Sequence, residues 1–332
     1  IEIAANVSDD FSVSSVRANI SWPNGSTDIV TLTLNTGTKY NVSYGLTSEL
    51  GYNNITIIAT DSAGNINRTE KTSFNSTLVG CGTVTNNITM DQDITALTGK
   101  TCFNIRANNL ILDCKGYVIN STATTLAGII NDTSGFDNIT IKNCFISTRS
   151  TSGYAINLSS GANNNLVINN TVRTIYGFAL GVTGENNNIT NNTFNSSWTG
   201  TVFTLAQIVD QNNTLSYNSF SWRGSGSNYM IKFDRANFST FVGNNITASG
   251  SAAPLDICTI SPCSSLTVYH NYIAAVSGIA ISGSTSFNNS NISFNNIRMS
   301  STGSGVGIST PSGTSHNIFE KNNITVDNGA QV

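Results

Sequence analysis

The sequence has 332 residues, of which only 10% are charged, and a formal net charge of −3. No basic stripe offsets that balance, which excludes the electrostatic footprint of a nucleic-acid binder. No stretch keeps a 3.6-residue apolar period or runs apolar long enough to span a membrane, and abundant Ser, Thr, Asn and Gly favour turns and strands.

Residues 1–76 alternate apolar and polar positions in short runs: Val16 to Trp22, Ile29 to Leu34, Tyr40 to Tyr44 and Ile55 to Ala59. Turn signals separate them at Pro23-Asn24-Gly25, Asn35-Thr36-Gly37 and Asp61-Ser62-Ala63-Gly64-Asn65. Strands of this length and spacing predict a small β-sandwich. The run Ala59-Thr60-Asp61-Ser62-Ala63-Gly64-Asn65 resembles a late strand of the immunoglobulin-like modules of bacterial and archaeal surface proteins. That resemblance implies a spacer or adhesion unit. Oxygens of Asp9, Asp10, Asp61 and Asn65 would suit calcium, but two solvent-facing turns need the same groups, and no metal is assigned.

Residues 77–332 repeat. An apolar residue, an asparagine three places on and another apolar residue two further recur as Val167/Asn170/Val172, Ile189/Asn192/Phe194, Leu215/Asn218/Phe220, Phe241/Asn244/Ile246, Val268/Asn271/Ile273, Ile292/Asn295/Ile297 and Phe319/Asn322/Ile324. Ile141/Cys144/Ile146 has the same shape, and successive positions lie 26, 22, 26, 26, 27, 24 and 27 residues apart. A second apolar strand precedes each motif, as in Tyr154 to Leu158 and Met230 to Phe233. Such short units bury their apolar residues only when stacked, so the pattern predicts a parallel β-helix of about ten coils, roughly 50 Å long at ~4.8 Å per coil. The leucine-rich repeat signature is missing. Asparagine tolerates the left-handed backbone at a sharp corner, and stacked amides can bond one another, so the column is expected to form a ladder. Asn213 and Asn237 lie off the column and serve as its comparison.

The rung Asn138-Ile139-Thr140-Ile141-Lys142-Asn143-Cys144 resembles the right-handed parallel β-helix repeat proteins, in particular Asn-rich archaeal and bacterial surface forms. The likeness implies the fold. It leaves function open, because the family spans polysaccharide lyases, hydrolases, epimerases, phage tailspikes, adhesins and inert scaffolds.

Six cysteines show no CxxC pair and no zinc spacing with His270 and His316. Spacing and elimination predict the disulfides Cys81–Cys102, Cys114–Cys144 and Cys258–Cys263; a set of unpaired cytosolic thiols is the alternative. The chain holds 22 Asn-X-Ser/Thr sites, among them Asn6, Asn19, Asn41, Asn54, Asn75, Asn120, Asn138, Asn188, Asn245 and Asn323. Attached glycans would hydrate a charge-poor surface, although the repeat itself generates such triplets for turn reasons. Both features point outside the cell or to its surface. The start Ile-Glu-Ile suits a processed product or fragment.

Catalytic warrants are thin: there is no GxSxG elbow, phosphate loop or HExxH. Asp210, Asp234 and Asp256, with Lys232, Arg235 and His270, come nearest to a cluster, but counted back from each coil's asparagine the acids are out of register and read as surface charges. Trp198 and Trp222, 24 residues apart, would stack on a sugar ring or cover a coil corner. The resulting expectation is a non-enzymatic subunit of an extracellular, N-glycosylated fibre or surface layer, assembled head to tail and needing no cofactor. A glycan- or host-binding adhesin or viral fibre is the alternative; a polysaccharide lyase or hydrolase ranks below it.

Overall fold

The computed structural model describes residues 1–44, 51–76, 81–97, 101–122, 128–149, 151–176, 178–197, 204–223, 229–249, 253–276, 278–300 and 305–327. These residues form strands, turns and corners with no α-helix among them. The chain divides into two compact units, Ile1–Ile88 and Thr89–Val332.

In the first unit the alternating runs become Glu2–Asn6, Val13–Ser21, Thr27–Thr36, Lys39–Ser43, Gly51–Asp61, Ile66–Asn67 and Lys71–Ser76. One side of the alternation buries Ile3, Val16, Ala18, Ile20, Leu32, Ile55 and Ile57. The turns form where they are predicted: the Gly25 N–H donates to Trp22 O at 3.0 Å, with Gly25 at φ 85°, where a side chain would be strained. The Asn65 N–H and Nδ2 donate to the Asp61 carboxylate at 2.8 and 2.7 Å, and the Phe11 and Ser12 N–H groups donate to Asp9. These carboxylates are therefore spent on turns.

The pairing of these strands does not show an immunoglobulin-like sandwich. They pair in the order first, fourth, third, second, fifth, sixth, with the seventh also on the fifth, and the part built by the first, fourth and third strands is only a half-barrel. Val13–Ser21 pairs on both sides, with Thr27–Thr36 and with Gly51–Asp61, while Thr27–Thr36 pairs Val13–Ser21 through Thr27 to Leu32 and Lys39–Ser43 through Thr33 to Thr36. Alternation alone is the same for a curled sheet and for half of a sandwich.

The repeat forms a parallel β-solenoid with three ten-stranded sheets, here called the first, second and third faces in chain order. One coil shows the plan: Ala206–Val209 on the first face, Thr214–Ser216 on the second and Ser219–Trp222 on the third. Gly82–Val84 and Ile88–Thr89 are the earliest members of the first and second faces. The two apolar positions of each motif point inward in perfect register, as in Val167↔Ile189↔Leu215↔Phe241↔Val268 and Val172↔Phe194↔Phe220↔Ile246↔Ile273. Burying each such side chain contributes roughly 1.5–3 kcal/mol. Phe194 and Phe220 stack with centroids 5.1 Å apart, and Phe241 of the second face packs against Phe220 at 6.4 Å.

The asparagine column lies at the corner between the second and third faces and is buried. From Asn192 onward each Oδ1 accepts two bonds from the preceding coil: Asn192 Oδ1 takes the Asn170 N–H at 2.9 Å and Asn170 Nδ2 at 3.0 Å. Each Nδ2 also reaches a backbone carbonyl one coil back, as Asn218 Nδ2 does to Ile189 O at 2.8 Å. The ladder runs through Asn170, Asn192, Asn218, Asn244, Asn271, Asn295 and Asn322, and the Cys144 N–H donates to its first oxygen. The left-handed residue is not the ladder asparagine but the one before it: Asn143, Asn169, Asn191, Tyr217, Gly243, His270, Phe294 and Lys321. The corner divides its two needs between neighbours, one residue bending the chain and the next bonding it.

A second ladder occupies the corner between the first and second faces. The Asn165 N–H donates to Asn187 Oδ1, Asn187 N–H to Asn213 Oδ1, and Asn213 N–H to Ser239 Oγ, at 2.9, 2.9 and 3.0 Å. Asn213 is therefore no outsider. Cys114–Cys144 and Cys258–Cys263 are disulfides, with Cα atoms 4.7 and 5.6 Å apart. Cys81 and Cys102 are also disulfide-bonded, and with no cysteine free they are each other's partner.

Candidate functional site

Hydrogen-bonding along the first face aligns an outer row of polar residues: Asn157↔Gly181↔Gln207↔Lys232↔Asp256↔Ser282. Asn157 Nδ2 extends it backward, donating to Asn131 Oδ1 at 2.9 Å. Gly181 is small because the Tyr154 ring lies across it: a Cβ there would sit 2.4 Å from Tyr154 Cδ2. The phenol continues to the next rung and donates to Gln207 Oε1. Burial pushes the Tyr154 phenol up to about 12, so it stays protonated.

Two rungs on, Ser284 Oγ lies 2.7 Å from Asp256 Oδ2 and 3.3 Å from the Tyr229 hydroxyl. One proton arrangement satisfies all three groups: Tyr229 donates to Ser284, and Ser284 donates to Asp256. The Ser284 N–H completes the fixation, donating to Asp256 Oδ1 at 3.0 Å. Burial pushes the Asp256 carboxyl above its ordinary range, against the bonds from Ser284 and Thr259 and the charge of Lys232. Ser284 is exposed and Tyr229 and Lys232 are half-buried, so the network opens outward although Asp256 does not.

The acids are out of register with one another, Asp234 facing Val209 and Asp256 facing Lys232, but the reading of them as surface charges is corrected. Asp256 and Lys232 stand in register, and Asp234 and Asp256 are buried rather than scattered on the surface. Asp234 accepts the Ile260 and Ser261 N–H groups at 3.3 and 3.1 Å, which fixes the corner closed by Cys258–Cys263. Asp210 pairs with Arg235 at 3.3 Å. His270 belongs to the opposite corner, beside the asparagine ladder. Sequence reasoning missed Gln207 and Ser284 altogether. The apolar strand run that carries the row was visible; its polar members differ in type from coil to coil.

Trp222 is buried on the third face, in register with Ser196 and Ala248, and offers no platform to a sugar; Trp198 lies outside the described residues. Of the sequons named above, Asn6, Asn54, Asn75, Asn138, Asn188, Asn245 and Asn323 are exposed, whereas Asn19, Asn41 and Asn120 are half-buried. Among the described residues no three His, Cys, Asp or Glu side chains gather as a metal site. No helix is long and apolar enough to cross a membrane.

No family model matches the chain, and no curated protein does. Among solved structures it is similar to the A-module of mannuronan C-5 epimerase AlgE4 from Azotobacter vinelandii, at 12% identity and a TM-score of 0.40, covering 76% of this chain and 89% of that one. The AlgE6 A-module from the same organism aligns at 10% identity and a TM-score of 0.37, over 76% and 91% of the two chains. Both neighbours are modules of enzymes, where the sequence reading expected none.

Proposed function

We propose that this chain is a secreted β-solenoid that holds a uronate-bearing polysaccharide along its first face and moves protons on it. The observation that carries the reading is the hydrogen-bonded sequence Tyr229–Ser284–Asp256 with Lys232 one rung away in register with the acid. Hydrolysis fits poorly, because it needs two available carboxyl groups. Here Asp234 and Asp256 already bind backbone N–H groups and Asp210 is paired with Arg235. Proton abstraction beside a carboxylate fits better. Lys232 offsets the charge of the sugar acid, the carbon-bound proton passes to the Tyr229 oxygen, the phenolic proton to Ser284, and the serine proton to Asp256. A carboxylate whose pKa is raised by burial is the better final acceptor. Three disulfides and the exposed sequons support secretion, and a place in a surface layer or fibre is part of the same proposal.

Incubation with polymannuronate and polygalacturonate in D2O tests it. Deuterium should enter the polymer at the carbon next to the carboxylate, seen by NMR, in the native protein and not in Asp256→Asn or Tyr229→Phe. Lys232→Gln should raise KM more than it lowers kcat. Absence of exchange with both polymers removes the reading.

A further inference from the structure

The corner beside the asparagine ladder carries a feature that the proposed reaction does not use. Its left-handed position is Asn in three consecutive coils, Asn143, Asn169 and Asn191, and then becomes Tyr217, Gly243, His270, Phe294 and Lys321. Asparagine is at ease at positive φ, whereas bulky side chains are strained there. Tyr217 and Phe294 nonetheless hold φ of 55°, as does His270, a residue type more at ease there. Their rings are not buried in return: Tyr217 is 65% exposed, Phe294 is 41% exposed, and His270 also faces solvent.

The rings stand on one corner, Tyr217 one coil before Gly243 and the His270–Phe294 pair on the two coils after it. Gly243 makes room for the first, since a Cβ there would stand 2.7 Å from Tyr217 Cδ1 and Cε1. His270 and Phe294 stack at 5.2 Å with planes 29° apart, and Lys321 Nζ lies 4.9 Å above the Phe294 ring. Flanking outward positions on the third face are Ser219, Asn245, Tyr272 and Asn296, and the Tyr269 ring of the second face lies against His270 with centroids 5.1 Å apart. Strain kept at exposed positions where a relaxed residue serves in neighbouring coils points to use rather than packing. Exposed ring faces bordered by hydroxyls and amides match a sugar, whose C–H face stacks while its hydroxyls bond sideways.

We propose that the Tyr217–His270–Phe294 ridge is a sugar-stacking site running along the solenoid axis, on a different corner from the first-face row and independent of it. Two sources can supply the sugar. One is an external polysaccharide. The other is a glycan on exposed Asn245, which lies two residues after Gly243 and so beside the Tyr217 ring.

The test uses protein from a host without N-glycosylation, run through native gels containing soluble β-glucan, xylan or galactomannan. The native chain should be retarded several-fold relative to a polymer-free gel, and the double variant Tyr217→Asn/Phe294→Asn should not. That variant restores the relaxed corner residue, so its melting temperature should stay level or rise. Protein from a glycosylating host separates the sources: retardation lost there and restored by Asn245→Gln assigns the ridge to the chain's own glycan, and retardation kept assigns it to external polymer. Equal mobility of native and variant chains in every gel, or a lower melting temperature for the variant, overturns the proposal.

Discussion

At the scale of single residues, asparagine works through what its amide can do twice. In the ladder from Asn192 onward each Oδ1 accepts a backbone and a side-chain donor, and each Nδ2 gives to a neighbour's carbonyl, so one truncation strands groups in two coils. Replacing Asn218 or Asn244 by Leu should cost about 1–3 kcal/mol for each stranded group. Asn237→Leu should cost less, because Asn237 is only half-buried and its amide serves one turn, at Ser264. Urea unfolding of the three variants checks the order, and equal midpoints would make the ladder a bystander. Asn213, taken from the sequence as a comparison, belongs with the costly group: it is fully buried and bonds Gly184 O and Asp210 O. Titration follows from burial at the same scale. Asp132 and Asp256 are both held above the ordinary value of 3.8, chiefly by burial, so the folded state binds their protons more tightly. Their contribution to stability is full below 3.8 and is lost as pH rises through the raised pKa. Asp113 runs the other way: burial raises it, but bonds from Asn143, the Lys115 N–H and Lys142 outweigh that, so its contribution fades as pH falls. Asp256→Asn should flatten the decline in urea midpoint between acid and neutral pH. An unchanged slope would mean that Asp256 titrates normally.

At the scale of elements, loop closure separates the disulfides. Cys114–Cys144 spans 30 residues and Cys258–Cys263 only 5, so the first restrains the unfolded chain more, by about 1.5 kcal/mol in the chain-entropy account. Paired Cys→Ser variants should therefore lose more melting temperature at 114/144 than at 258/263. The reverse order would point to a local role for the small loop, where it holds the corner that also carries Asp234. The same corner explains what the sequence concealed. Strand alternation and the inward apolar columns were legible because identical chemistry recurs at nearly constant spacing. The first-face row was not, because Gln207, Lys232, Asp256 and Ser282 share a register but no residue type. Counting back from each asparagine failed as well. From Val209 to Leu215 is one tight corner, whereas Asp256 to Val268 is a longer excursion with its own short strand, Cys263–Ser264. The second ladder was hidden by mixed chemistry, since Asn187 and Asn213 give way to Ser239 and then to Leu266 at that corner. In the N-terminal unit the strands were legible and their partners were not, because partner choice depends on contacts distant in sequence.

At the scale of the whole solenoid, stability is close to a sum over coils and the interfaces between them. A central side chain is packed by coils on both sides, as Ile246 is, with no exposed surface and register partners Phe220 and Ile273. Ile324 has the same place in its motif but only one partner among the described residues, Ile297, and remains half-buried. Truncation to alanine removes the same atoms at both sites, so the difference isolates the neighbouring coil. Ile246→Ala should fall toward the upper end of the ~2–5 kcal/mol range for such core truncations, and Ile324→Ala below it. Amide exchange should follow the same order, slowest where the Asn192, Asn218 and Asn244 N–H groups bond the next coil's Oδ1 and faster in the strand Asn323–Val326. Equal cost at both isoleucines, with uniform exchange along the axis, would show a solenoid that opens all at once, and nearest-neighbour packing would then be the wrong account of its stability.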